Sequence, residues 1–326
     1  MATTLTLDSR MDEDDLLQEL RADVGTGLVA TPRWLSPRWF YDATGSRLFD
    51  EITRLPEYYL FRAERSILER HAADIARAAG DVVLVELGSG YSTKTLLLLD
   101  ALQAAGSLSG IVTLDVSEDA LREAADALAE RYPDAPLHAI VGDYTRHLDA
   151  VPPAPAGAGR MIVFLGSTIG NLIPDERRSF LEGCAGMLEP GELFLVGTDL
   201  VKSPGILEAA YDDAAGVTAR FNRNILRVLE QRLGAELDVD AFEHEAWWSE
   251  HDAWVQVALR ANRATRIHVP GLVDTEFNTG DPILTEVSSK FTPERVDAEL
   301  DAAGFKTVER WFDDDGAFAL TLARRR

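Results

Sequence analysis

The sequence predicts an α/β fold, in which a doubly wound parallel sheet ends in an antiparallel hairpin and a second domain is added. Apolar strands alternate with helices of ordinary length from residue 63 to about residue 201. The alternation stops between residues 202 and 289, and two strand-like segments around an acidic turn close the chain. Alternating strands and helices are typical of a parallel sheet covered by helices on both faces.

The elements of the parallel sheet follow in order from their apolar patterns. Helices are predicted over residues 12–24, 63–79, 92–105, 118–130 and 175–188. Strands are predicted over residues 82–87, 111–116, 137–141, 161–165 and 193–197. Segment 152–159 is rich in proline, glycine and alanine, and is predicted as a loop. The first ten residues are polar and are expected to be disordered.

The chain outside this alternation has a different character. Residues 31–62 are rich in Trp, Tyr, Phe and Pro without clean periodicity, which predicts a packed cap. The later predictions are a helical region over 205–235, strands over 254–260 and 265–268, a helix from Thr292 to Gly304, and strands over 305–312 and 317–323. The turn of three aspartates and Gly316 predicts that the last two strands form an antiparallel hairpin.

Composition and charge restrict the function. The chain has 326 residues and a net charge of −23, so we expect no nucleic-acid partner, because a polyanion repels phosphate backbones. The N-terminal residues lack a signal-peptide pattern and no apolar stretch reaches the roughly 18 residues that cross a bilayer, so a cytoplasmic protein without a membrane partner is expected. The one cysteine, Cys184, is predicted to fill the core. The six histidines show no metal-ligand spacing, so no metal is expected.

A glycine-rich segment joins the first sheet strand to the next helix. Residues 86–90 read Glu-Leu-Gly-Ser-Gly. Glycines here let the backbone approach a ligand, although a tight turn made for packing gives the same pattern. The dinucleotide fingerprint needs a further glycine at position 93, where this chain has Thr93. A cofactor without a pyrophosphate, such as S-adenosylmethionine (SAM), fits better, and a sheet completed by an antiparallel hairpin is typical of SAM-dependent methyltransferases.

Polar side chains end the next strands. Asp115 ends the second strand, where it can accept hydrogen bonds from both ribose hydroxyls. Asp143 ends the third, where it can meet the adenine amine, and Tyr144 can add apolar contact. A lone aspartate at a strand end is as often a helix cap or turn former, but consecutive strand ends together predict a SAM site. After the fourth strand, Asn171 offers a donor and an acceptor for an amino acid, although segment 166–171 could be only a turn.

Four blocks of sequence are distinctive in combination. They are Tyr41-Asp42-x-x-Gly45-Ser46-x-Leu48-Phe49, Ile52-Thr53-x-Leu55-Pro56-Glu57-Tyr58-Tyr59, Glu86-Leu87-Gly88-Ser89-Gly90-x-x-x-Lys94-Thr95 and Gly166-Ser167-Thr168-Ile169-Gly170-Asn171. Together they resemble the histidine-specific SAM-dependent methyltransferases, the family of the L-histidine Nα-methyltransferase of ergothioneine biosynthesis. The resemblance implies three methyl transfers that convert L-histidine into hercynine. It also implies a SAM-binding domain of residues 63–201 and 290–326 and a substrate-binding domain of residues 12–62 and 202–289. We expect a monomer.

The resemblance also implies roles for individual residues. The residues expected to hold SAM are Gly88, Lys94, Asp115, Asp143 and Tyr144. Those expected to hold the substrate carboxylate are Asn171 and Tyr211, and those expected around the imidazole are Tyr58, Glu286 and Ser288. Tyr41 is expected near the amine as the catalytic residue, and the Gly166 carbonyl is expected to accept from the amine. Val257 stands where some members have methionine, and the smaller valine would shape the pocket wall so that substrate selectivity is loosened.

The chemistry of the two reactants supports these roles. A protonated amine has no lone pair and is repelled by a sulfonium, so an α-amino group with a pKa of about 8 must first lose a proton. Tyr41 can then orient the amine, and tyrosine faces tolerate the growing cation. Glu286 and Ser288 lie two residues apart on an extended segment, so their side chains face the same way. The alternative is that segment 285–290 is a surface strand with its polar residues outward.

Other functions remain open at this point. The same family could act on another amine, such as a tryptophan-derived alkaloid. Such a substrate would have less use for the carboxylate of Glu286 and the hydroxyl of Ser288. The chain could also be a regulatory module that binds SAM without catalysis. A NAD-dependent oxidoreductase is disfavoured by Thr93 and by the terminal hairpin.

Overall fold

A computed structural model describes residues 5–88 and 93–326. Its strands are β1 (Leu5–Ser9), β2 (Arg33–Trp34), β3 (Val82–Leu87), β4 (Leu108–Asp115), β5 (Leu137–Val141), β6 (Gly159–Phe164), β7 (Leu193–Asp199), β8 (Phe242–Ser249), β9 (Trp254–Ala261), β10 (Thr265–Val269), β11 (Val273–Phe277), β12 (Pro282–Ser289), β13 (Phe305–Phe312) and β14 (Phe318–Arg325). Its α-helices are α1 (Glu13–Gly27), α2 (Ala43–Ile52), α3 (Tyr59–Ala79), α4 (Thr95–Ala105), α5 (Glu118–Arg131), α6 (Pro174–Met187), α7 (Pro204–Tyr211), α8 (Val217–Leu233) and α9 (Pro293–Ala302).

The chain divides into two compact units. The first, here called the sheet unit, comprises Met1–Asp12, Arg62–Leu200 and Phe291–Arg326. The second, here called the insert unit, comprises Glu13–Phe61 and Val201–Lys290.

The sheet unit is built on one sheet with the strand order β1-β5-β4-β3-β6-β7-β14-β13. The pairs from β1 to β7 are parallel, whereas β14 runs antiparallel to both β7 and β13. Every residue of β3 and of β7 is buried, as expected for strands covered on both faces. This is the predicted fold, a doubly wound parallel sheet that ends in an antiparallel hairpin. Cys184 is buried in its core, as predicted.

One prediction for the sheet unit was wrong. The polar N-terminal segment was expected to be disordered, but β1 pairs in parallel with β5, with Leu7 opposite Ala139. The segment alternates apolar and polar residues, and an edge strand pairs on one side while its outward backbone groups bond to water. Its length of five residues at a chain end gave too weak a periodic signal for a sequence-based assignment.

The insert unit combines helices with a sheet of order β2-β12-β9-β8 and a ribbon of β10 and β11. The prediction of a purely irregular cap over residues 31–62 was incomplete, because α2 lies within it. Asp42 caps α2 by accepting from the Gly45 amide at 2.7 Å. A Cβ atom at Gly45 would lie 1.7 Å from the Phe40 carbonyl oxygen, so this close packing requires a glycine in the helix.

The insert sheet also corrects the reading of segment 285–290 as a surface strand. Strand β12 lies between β2 and β9, and Ser288, Ser289 and Lys290 are buried. Its polar composition made this central strand hard to recognise, because the sequence does not show that the Ser288 hydroxyl bonds to Tyr211 inside the unit. Strands β8 and β11 were missed for a related reason, since each contains three consecutive polar residues, at 243–245 and at 274–276.

Candidate functional site

The sheet unit brings the predicted SAM residues of three strands to one edge. Strands β3, β4 and β5 are parallel neighbours, so their carboxyl ends share that edge. Gly88 follows β3, Asp115 ends β4, and Asp143 and Tyr144 follow β5. Gly88 has a φ of +70° and donates its N–H to the Leu114 carbonyl at 2.8 Å. The left-handed turn at Gly88 therefore begins at the end of the strand, where a ligand can approach the backbone.

Both strand-end carboxylates are held by their own turns. Asp115 Oδ1 accepts from the Ser117 amide at 2.9 Å. Asp143 Oδ1 accepts from the Thr145 amide at 2.7 Å and from the Thr145 hydroxyl at 2.6 Å. These are the turn-forming bonds that sequence reasoning gave as the alternative role of such aspartates. They also fix the orientation of each carboxylate, which a ligand site on a sheet edge requires.

Tyr144 forms an aromatic wall at this edge. Its ring packs edge to face on Phe164 at 5.2 Å and on Phe180 at 5.7 Å between centroids. Burial raises the pKa of Tyr144, and the neighbouring Asp143 charge raises it further, so the phenol stays neutral. A Cβ atom at Gly88 would lie 3.7 Å from the Tyr144 ring. The ring and the turn are therefore neighbours.

The glycine loop leads to a buried ion pair. Residues 89–92, which include the predicted Ser89 and Gly90, lie outside the described part of the chain. Lys94 precedes α4, and its ammonium pairs with the Glu64 carboxylate of α3. Both side chains are buried. Sequence analysis singled out Lys94 and missed Glu64.

The loop after β6 is anchored to the same carboxylate. Gly166, with a φ of +79°, donates its amide to Glu64 Oε1 and Oε2, each at 2.9 Å. Ser167 is also left-handed, with a φ of 57°, and its hydroxyl accepts from the Asp199 amide at 3.0 Å. Asn171 ends the following 3₁₀ turn and is half-buried. Asn171 belongs to the sheet unit, whereas Tyr211, its predicted companion, belongs to the insert unit.

The insert unit assembles three predicted tyrosines into an aromatic chain. Tyr41 contacts Phe49 edge to face at 5.6 Å, and Phe49 contacts Tyr58 at 6.2 Å. Tyr58 in turn contacts Tyr211 at 6.4 Å. Tyr41 is 43% exposed, whereas Tyr211 is 6% exposed, so the chain of rings runs from the surface into the unit. Phe221, which packs on Tyr41 at 5.4 Å, supports it from α8.

A buried polar cluster lies at the inner end of this chain. The Tyr211 and Ser288 hydroxyls are 2.7 Å apart. Lys290, which is fully buried, donates to the Tyr211 hydroxyl at 2.8 Å and to the Ser288 hydroxyl at 2.9 Å. Its ammonium also lies 4.6 Å from the centroid of the Tyr211 ring. We define the polar cluster as Tyr211, Ser288 and Lys290.

Glu286 adds a carboxylate on the same strand. The residue is half-buried. This burial raises the pKa of Glu286 to about 7, against the opposing effect of the Lys290 charge. Glu286 pairs across the sheet with the buried Val257. A carboxyl whose pKa is raised to near neutrality, two residues from the buried Ser288 on one strand, is typical of a functional site.

His244 holds the backbone of Tyr211, a member of the polar cluster, in place. Its Nε2 lies 2.8 Å from the Tyr211 carbonyl, and its Nδ1 lies 2.9 Å from the Asn222 amide nitrogen. Because the amide nitrogen only donates, Nδ1 accepts and Nε2–H donates to the carbonyl. Burial lowers the pKa of His244, which keeps this ring neutral. His244 is thus a core residue that orients the end of α7.

The structure identifies further residues that sequence reasoning missed. They are Glu64, Phe221 and Lys290, whereas Phe49 belonged to the first distinctive block without an assigned role. Glu64 had a weak signal, because it lies on the apolar face of α3 next to Ala63 and close to Ile67, where a charge needs a partner. Lys290 had no local signal in the sequence, because its partner Tyr211 is 79 residues away.

The described residues lack a metal-binding group and a membrane-spanning helix. Within residues 5–88 and 93–326, no group of three or more His, Cys, Asp or Glu side chains could hold a metal ion. In the same part of the chain, no helix combines the length and the apolar character needed to cross a membrane.

Comparisons with known proteins give consistent matches over nearly the whole chain. A family model described as a SAM-dependent, histidine-specific methyltransferase matches residues 20–325. The chain is 48% identical over 323 residues to a histidine N-alpha-methyltransferase of Mycolicibacterium smegmatis, which covers 99% of this chain and 100% of that protein. It is 47% identical over 318 residues to a histidine N-alpha-methyltransferase of Mycobacterium tuberculosis, covering 97% and 98%. An L-tryptophan methyltransferase of Psilocybe serbica is 27% identical over 337 residues, covering 94% and 92%.

Proposed function

Because the chain belongs to the family of SAM-dependent, histidine-specific methyltransferases, we propose that it methylates the α-amino nitrogen of L-histidine. Three successive transfers convert histidine into hercynine, a step of ergothioneine biosynthesis. The observation that carries the choice of histidine is the placement of Glu286 and the buried Ser288 two residues apart on β12, so that both side chains lie on the same face of the strand. A neutral imidazole has one N–H donor and one nitrogen acceptor, and a carboxylate and a hydroxyl match both.

The sheet unit is proposed to hold SAM. Asp115 accepts from the ribose hydroxyls, Asp143 meets the adenine amine, and Tyr144 covers the adenine face. Gly88 allows close approach of the backbone, and Lys94 supplies the positive charge that suits the SAM carboxylate. Bound SAM supplies an electrophilic methyl group on a sulfonium cation.

The insert unit is proposed to hold the imidazole and the amine. Glu286 accepts from the ring N–H, Ser288 donates to the other ring nitrogen, and Tyr58 flanks the ring. Tyr41 lies at the exposed end of the aromatic chain. It orients the substrate amine and passes the proton that the amine loses toward water. Tyrosine faces stabilise a methylated ammonium by cation–π attraction of about 0.5–2 kcal/mol, which favours repeated transfer. Among the residues of the sheet unit, the Gly166 carbonyl is proposed to accept from the amine.

The direct test of this function is a mass-spectrometric screen. The protein is incubated with SAM and each of the twenty amino acids separately, and mass increases of one, two or three methyl groups are recorded. Trimethylated histidine is expected, with little product from the other amino acids. Equal or greater methylation of tryptophan would favour the alternative that the chain acts on an indole amine. Binding of SAM without any product would favour a regulatory module.

The ribose contact gives a first prediction. Asp115→Asn should weaken SAM binding by about 1.5 kcal/mol, roughly tenfold, because the ribose hydroxyls lose a charged acceptor. Isothermal titration calorimetry measures the effect. Asp100→Asn is a matched control, because Asp100 lies on α4 of the same unit in a surface ion pair with Arg131 at 2.7 Å. Equal affinity of the Asp115→Asn variant and the parent would contradict the ribose assignment.

The carboxylate contact gives a second prediction. Asn171→Ala should raise the KM for histidine about five- to tenfold with little change in SAM affinity, because it removes a neutral donor to the carboxylate. Histamine, which lacks the carboxylate, should be a poor substrate of the parent and equally poor for the variant. Steady-state kinetics with both amines decide the point. Turnover of histamine as fast as histidine would remove the assigned role of Asn171.

A further inference from the structure

We propose that Glu64 is a positioning residue for the cofactor, because its buried carboxylate holds the Lys94 ammonium and the Gly166 amide in one place. This inference rests on the proposed function, in which Lys94 takes part in SAM binding. At neutral pH the only anionic group of SAM is the carboxylate of its methionine end. Glu64 therefore acts through Lys94 on that end of the cofactor.

The geometry around Glu64 is that of a junction between three elements. The carboxylate comes from α3, the ammonium from the residue before α4, and the amide from the second residue after β6. Glu64 is completely buried and Lys94 is 7% exposed. Hydrogen bonds to a buried charge are shorter and stronger than those between neutral groups, so this carboxylate fixes two loops of the sheet edge relative to each other.

Strand β7 makes room for this carboxylate. A Cβ atom at Gly197, in the middle of β7, would lie 2.0 Å from Glu64 Oε1. Any side chain at position 197 would therefore displace the carboxylate from its place. The space left at Gly197 is an observation independent of the ion pair, and it shows that the strand is shaped around Glu64.

The charge of Glu64 has a specific consequence for ligands. Without it, the buried Lys94 ammonium loses a counter-ion, and the group next to the SAM carboxylate loses its fixed orientation. Ligands that carry the methionine end should respond to that loss. S-adenosylhomocysteine has this end, whereas 5′-methylthioadenosine keeps the adenosine and lacks the amino-acid group.

The experiment compares these two ligands on Glu64→Gln. Calorimetry should show at least about tenfold weaker binding of S-adenosylhomocysteine and a change of less than about twofold for 5′-methylthioadenosine. Glu192→Gln is the matched control, because Glu192 forms another largely buried ion pair of the sheet unit, with Arg160 at 2.8 Å, beside the amino ends of β6 and β7. The control should leave both affinities unchanged.

A second variant keeps the test decisive if Glu64→Gln does not fold. Gly197→Ala retains both charges and should displace the carboxylate, so it should weaken S-adenosylhomocysteine selectively by severalfold. Equal weakening of both ligands, or no change in either with a folded variant, would overturn the positioning role. Failure of the parent protein to bind S-adenosylhomocysteine at all would instead overturn the proposed function.

Discussion

Glu286→Ala is expected to lower kcat/KM for histidine by roughly 10- to 100-fold, or about 1.4–2.7 kcal/mol. The same change should narrow the preference for histidine over phenylalanine and tryptophan. A site built to bond a polar ring rejects an apolar one, because its own buried groups would be left unpaired. Removing the carboxylate removes that penalty together with the favourable bond.

Competition between histidine and tryptophan in the presence of SAM measures the selectivity. Glu243→Ala is the matched control, since Glu243 belongs to the same sheet on β8 and its side chain is exposed. The control should keep both the rate and the preference of the parent. A Glu286→Ala variant with the full preference for histidine would show that another residue recognises the imidazole.

The raised pKa of Glu286 adds a pH dependence to this prediction. With a pKa of about 7, the carboxyl becomes an ionised acceptor only as the pH rises through neutrality. The parent's kcat/KM should therefore increase through about pH 7, and Glu286→Gln should lose this limb. Ionisations of the substrate are common to both proteins, so the ratio of their two profiles isolates Glu286.

Stability should respond in the opposite direction. The folded protein holds a proton on Glu286 that the unfolded chain, with a pKa near 4.5, releases earlier. The free energy of unfolding therefore falls as the pH rises from about 4.5 to about 7, and the loss is complete above that window. Glu286→Gln should raise the melting temperature of the ligand-free protein at pH 8 relative to the parent, with no such gain at pH 4.5.

The fold was predictable where burial is uniform along a strand. Strands such as β3 and β5 are short apolar runs between turn signals, and their predicted limits match the structure. The insert unit was less predictable, because strands β8 and β12 mix polar and apolar residues, and because α2 contains a glycine that is there for packing. Local pattern gives no information on which polar side chains find partners across a sheet.

The candidate site likewise contains residues that the sequence suggests and residues that it does not. Residues at strand ends, such as Asp115 and Asp143, can be found from sequence, because the topology of a parallel sheet brings strand ends to one edge. Glu64 could not be assigned in this way, since its contacts with Lys94 and Gly166 span 30 and 102 residues. Such partners meet only through tertiary folding, and a charge on an apolar helix face is the one local trace they leave.

Lys290→Met is expected to have the second large effect, a fall in kcat/KM for histidine of roughly 30- to 100-fold at pH 7, or about 2–2.7 kcal/mol. Methionine fills most of the volume but cannot donate to the Tyr211 and Ser288 hydroxyls. An ammonium only donates, so in the parent both oxygens accept from Lys290. One hydroxyl proton therefore bridges the two oxygens, the other is left for a ligand, and this order is lost in the variant.

The same substitution should move the pH dependence. The positive charge of Lys290 opposes the rise in the pKa of Glu286, so removal of that charge should shift the pKa above 7. The pH at which kcat/KM increases should shift upward by the same amount. Lys202→Met is the matched control, because Lys202 also donates to a tyrosine of the insert unit, Tyr59, at 2.7 Å. In the control, the rise of kcat/KM should stay near pH 7.

Combining Lys290→Met with Glu286→Gln should lower kcat/KM by less than the product of the two single effects, because part of the effect of Lys290 passes through the Glu286 carboxyl. Additive losses with an unmoved limb would show that Lys290 only packs the core.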